Sequence, residues 1–138
     1  MSRAATLAGG AVLAVALAGW LALVEVFWLP LRAGGLLVPL SVPAALLGNY
    51  LLVTGTHRLT GSRAVAVLPA LTWLAVALAA SSRRPEGDLV AVGTGSLGVV
   101  TLAFLGLGVV GAAVAVGRVL VTPRSLTPRP QTPAGAQR

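Results

Sequence analysis

Few residues of this 138-residue chain have side chains suited to chemistry, and their spacing does not bring them together. Glu25 is an acidic residue inside an apolar run, Asn49 is a lone amide inside another, and His57 is the only histidine. An ionisable group surrounded by lipid is costly, so it is by default a candidate for moving a proton or a substrate. The same Glu25 could instead serve as a structural ion-pair partner of Arg32, or of Arg83 or Arg84. Asn49 has the chemistry to hydrogen-bond between helices. His57 lies beside Arg58 and near Ser62, but a catalytic triad or a metal centre needs further convergent partners. No paired carboxylates, histidine cluster or phosphate-cradling Gly-Lys loop occurs, and there is no cysteine. The reading is of a protein that is not an enzyme and carries no cofactor or metal.

The elements that must position these residues are four long apolar stretches, at about 4–29, 36–54, 64–80 and 89–116. Each approaches or exceeds the ~20 residues that a helix needs to cross the hydrocarbon core of a bilayer. Hydrophobic residues make up 57% of the chain, charged residues only 9%, and mean hydropathy is +0.93, far from the usual soluble composition. The expected fold is an all-α membrane protein, an antiparallel bundle of four transmembrane helices over 1–121. Residues 122–138, rich in Pro and Arg, form a disordered cytoplasmic tail on this reading. The run from Ala4 to Val24 exceeds the 7–15 apolar residues of a signal peptide and leads into Glu25, Phe27 and Trp28, so a retained helix is expected.

Arginine placement orients the bundle, because short Arg-rich loops stay in the cytoplasm. With the N-terminus inside, Arg3, Arg58, Arg63, Arg118, Arg124, Arg129 and Arg138 lie inside, and Arg32, Arg83 and Arg84 outside. Both termini are therefore expected in the cytoplasm of a multi-pass cell-membrane protein. The net charge of +7 is explained by this bias, and too few aromatics are present for a nucleic-acid stacking surface.

Finer features follow from residue type. Residues 30–35 make a short outer connection, and Gly55–Arg63 reads as a polar inner turn. Pro39 and Pro43 predict a kink or a loosened first turn in the second span. Glu25, near the outer surface, and Asn49, about five residues from the inner end of its span, are expected in opposite leaflets. Trp28 suits an interfacial anchor, whereas Trp20 and Trp73 are expected to pack between helices. The 28 residues of 89–116 exceed one crossing, so that helix is either strongly tilted or regular only from near Leu97. Small residues Gly10, Ala14, Ala18 and Ala22 recur every four positions, and Gly108 and Gly111 open a similar face. Such stripes let helices approach closely, within one chain or between copies.

Several strings have a familiar look: Phe27-Trp28-Leu29-Pro30-Leu31-Arg32, Pro39-Leu40-Ser41, Leu47-Gly48-Asn49, Thr60-Gly61-Ser62-Arg63, Leu68-Pro69 with Trp73, and Glu86-Gly87-Asp88-Leu89. Together they resemble a family of short four-span membrane proteins of actinobacteria whose activity is uncharacterised. The resemblance covers about residues 20–116 and implies the four-span architecture without assigning chemistry to any residue. Four-span drug exporters of similar length also carry a glutamate in the first helix, but near mid-span and with basic residues balanced across the membrane. The sequence thus favours a structural or accessory subunit whose partners are the bilayer and either another membrane protein or a second copy. A small proton-coupled transporter component using Glu25, and a regulatory protein acting through its basic tail, are the alternatives.

Overall fold

The computed structural model describes residues 2–81 and 95–121. It contains four helices, α1 (Arg3–Trp28), α2 (Ser41–Thr60), α3 (Arg63–Ser81) and α4 (Ser96–Val121), and a small hairpin of strands β1 (Arg32–Ala33) and β2 (Leu36–Leu37). Three of the helices, α1, α3 and α4, are long and apolar enough to cross a membrane. Helix α2 falls outside that set because Asn49, three threonines, His57 and Arg58 dilute its apolar content.

Local chemistry sets the boundaries. Ser2 caps α1 by accepting a hydrogen bond from the Ala5 amide. The α1–α2 connection closes through Gly34 and Gly35, both at positive φ, which suits a two-residue turn between right-twisted strands. Helix α2 starts at Ser41, so Pro39 precedes it. Pro43 lies in its first turn, where a missing amide hydrogen removes no intrahelical bond. The proline-induced kink is therefore not needed. The stretch 55–60, read as a turn, is helix, and only Gly61 and Ser62 separate α2 from α3. Gly61, at φ 62°, ends α2 by donating its amide to the His57 carbonyl. The error arose from hydropathy, which falls at Gly55 although backbone hydrogen bonding continues for another turn and a half. Helix α4 begins at Ser96, which agrees with a regular segment starting near Leu97. Residues 82–94 and the tail from 122 lie outside the described residues.

Consecutive described helices run in opposite directions, yet the most extensive packing joins the parallel pairs α1–α3 and α2–α4. Helix α2 touches all three others and is the centre of the bundle, whereas α3 and α4 meet sparingly. One core layer combines Ala18, Ala22, Val26, Ala45, Trp73, Ala77 and Phe104. A second, towards the α2–α3 turn, combines Val53, Ala66, Ala115 and Val119. The perimeter is apolar: Val12, Leu51, Leu102 and Val121 are among many large hydrophobic side chains facing outwards. An apolar exterior around a polar-seeded interior inverts the soluble pattern and suits lipid as solvent.

Candidate functional site

The bundle's polar centre is Glu25. The small stripe of α1 aims it inwards: Ala14, Ala18 and Ala22 are buried at four-residue intervals, and Glu25 continues the same face with only 1% exposure. Trp73, at the middle of α3 and fully buried, donates its indole Nε1–H to Glu25 Oε2 at 2.7 Å. A buried indole needs an acceptor, and Glu25 is the only acidic residue among those described. The Trp73 ring is clamped on its other side by α4. Phe104 packs against it at 5.3 Å between centroids and 59° between planes, and Gly108 lies directly beneath it. A Cβ at Gly108 would collide with the indole, so the glycine makes room for the ring. Gly111 is equally constrained, with its missing Cβ directed at the Leu46 backbone.

From α2, Gly48 completes the enclosure. The position a Cβ would take there lies 3.5 Å from Glu25 Oε1 and 2.5 Å from Leu21 Cδ2. Asn49, the next residue, is fully buried and donates Nδ2–H to the Ala45 carbonyl at 3.1 Å. The expected separation of Glu25 and Asn49 into opposite leaflets is therefore incorrect. Because α2 extends to Thr60, Asn49 falls at its middle, and its neighbour Gly48 stands level with the carboxyl. Three buried polar atoms have no hydrogen-bond partner among the described residues: Glu25 Oε1, Asn49 Oδ1 and Ser41 Oγ.

The other expectations meet different outcomes. Arg32 is exposed on β1, and among the described residues Glu25 is bonded to Trp73 rather than to an arginine. Arg83 and Arg84 lie outside the described residues. Trp20 is 67% exposed on the perimeter instead of packing between helices. Gly10 packs on Thr60, and Gly108 and Gly111 pack on Trp73 and α2, so these small-residue faces serve contacts within the chain.

The remaining polar groups are largely satisfied locally. The Thr54, Thr60 and Thr101 hydroxyls donate to the carbonyls of Tyr50, Thr56 and Leu97 one turn earlier, at 2.7, 2.7 and 2.9 Å. Near the end of α4, Arg118 donates to the Tyr50 hydroxyl at 2.6 Å, with its guanidinium 5.8 Å from the ring centroid. His57 stands in the last turn of α2, and no group of three metal-ligating side chains occurs among the described residues. The sequence reading missed Trp73 and Gly48 as partners of Glu25. An indole in the middle of an apolar span, with one acid elsewhere to accept its hydrogen, was the available signal. No family model matches the chain, and comparison with curated proteins and with solved structures returns no match.

Proposed function

We propose that this chain is a four-span protein of the cell membrane, with both termini in the cytoplasm, that acts as a non-catalytic structural or accessory subunit of a membrane assembly. The observation that carries this reading is the Glu25–Trp73 hydrogen bond. It commits the one acid of the described helices to joining α1 with α3, while the perimeter offers apolar surface to lipid or to a neighbouring helix. Helix α2 is the least apolar, but it is surrounded by the other three, and its hydroxyls bond to its own carbonyls. That is how a polar helix is tolerated in a bilayer. The orientation is supported by Arg3, Arg58, Arg63 and Arg118, which stand at the end of the bundle remote from Arg32. The resemblance to short four-span actinobacterial proteins supports the same architecture.

Cross-linking in native membranes, with identification of neighbours by mass spectrometry, tests the assignment. A reproducible membrane-protein partner or a second copy is expected. Purification in mild detergent as a monomer with no cross-linked neighbour would overturn it.

A second reading rests on Glu25 Oε1, which is buried beside Gly48 without a hydrogen-bond partner among the described residues. It assigns the carboxyl to carrying a proton in a small transporter component. In that case wild-type protein in liposomes supports pH-dependent flux that Glu25→Gln abolishes; equal flux in both, or none in wild type, removes the reading.

A further inference from the structure

Between the inner halves of α1 and α2 runs an apolar groove of about 130 Å³, with Gly10, Ala14 and Leu17 on one wall and Leu51, Gly55 and Leu59 on the other. Its depth comes from glycine. A Cβ added at Gly55 meets nothing within 4 Å, so the space above that residue is open. The flanking leucines Leu17, Leu51 and Leu59 are 45%, 65% and 70% exposed, so the groove opens on the perimeter rather than into the core.

Two cations mark one mouth of the groove. Arg3 precedes Gly10 by seven residues in the same helix, two turns away and on the same face at 100° per residue. Arg58 stands in the last turn of α2 beside Leu59. The two helix ends meet, because Gly10 packs against Thr60. Both arginines are exposed, and no acidic residue occurs in 2–24 or 41–81. An apolar trough with two exposed arginines on the helices at one end matches one kind of molecule, with a hydrocarbon chain attached to an anionic head. Arginine favours phosphate because its fork of donors can bind two oxygens at once.

We propose that this groove is a binding site for an anionic glycerophospholipid, with one acyl chain lying along Gly55 and the phosphate held by Arg3 and Arg58. The site depends only on the helices residing in a bilayer, and it stands whether or not the chain is an accessory subunit. The lipid would cover the face between α1 and α2 where Gly55 leaves open space.

The test is native mass spectrometry of the full chain in detergent, titrated separately with a phosphatidylglycerol and with a phosphatidylcholine of the same acyl chains. A single retained phosphatidylglycerol is expected, with phosphatidylcholine bound at least tenfold more weakly. Arg3→Gln with Arg58→Gln should remove that preference, a loss of roughly 25-fold at about fivefold per arginine near the headgroups. Gly55→Leu fills the groove and should abolish retention of the lipid, while circular dichroism shows unchanged helicity. Equal retention of the two lipids by wild type, or undiminished phosphatidylglycerol binding in Gly55→Leu, would overturn the proposal. So would displacement of the lipid by inorganic phosphate alone, or a dimer that Gly55→Leu dissociates.

Discussion

Replacing Trp73 by Phe removes the indole hydrogen that Glu25 accepts and keeps an aromatic ring against Phe104. In Trp73→Phe the carboxyl, 1% exposed, loses the 2.7 Å bond from the indole. A buried polar group left without its partner costs about 1–3 kcal/mol. Hydrogen bonds between membrane helices are weaker on average, at about 0.6 kcal/mol with a maximum near 1.7. The ring also becomes smaller above Gly108, which adds a packing loss unrelated to the bond. A double-mutant cycle with Glu25→Met, which keeps side-chain length without the charge, separates the two effects. The packing loss appears in both Trp73→Phe arms and cancels, leaving an expected coupling of about 1 kcal/mol. SDS-driven unfolding in mixed micelles, followed by far-ultraviolet circular dichroism, is the assay. Additivity within about 0.3 kcal/mol, the behaviour of independent sites, would refute the claim that this bond joins α1 to α3.

Two further substitutions probe the same centre. Gly108→Ala drives a methyl into the Trp73 ring and Gly111→Ala drives one into the Leu46 backbone, so each should destabilise by about 1–3 kcal/mol. Gly106→Ala, whose Cβ meets nothing within 4 Å, should be neutral or slightly stabilising in the same unfolding assay. Glu25→Gln retains a carbonyl oxygen that accepts from Trp73 Nε1–H, so its stability should stay within about 1 kcal/mol of wild type. A collapse of the fold in Glu25→Gln, seen as lost helicity after extraction, would mean that the carboxyl has a charged partner beyond Trp73.

The sequence made helix number and the small-residue faces legible, because both depend on residue type at fixed spacing. Ala14, Ala18 and Ala22 could be read as a packing stripe directly, and all three are buried. The end of α2 was not legible: Gly61, whose positive φ stops the helix, was read as part of a longer turn. Hydropathy alone had served as the guide there. The polar run after Thr54 looked like a turn, and that one misplaced boundary moved Asn49 from the helix centre towards its end. The candidate site was half legible. An acid within an apolar stretch announces Glu25, but its partner sits 48 positions away on another helix. Only the packing of α1 on α3 brings Trp73 to it, and pairing of helices is not written in the periodicity of either one.

The account depends most on α2 crossing the bilayer despite its polar content. Because the chain has no native cysteine, single cysteines can be read without background. Leu36→Cys lies on the exposed α1–α2 hairpin and Arg58→Cys on the exposed last turn of α2. Treated with a membrane-impermeant maleimide, intact cells should label Leu36→Cys, and Arg58→Cys should label only after permeabilisation. Labelling of both positions from the same side would contradict the four-span bundle.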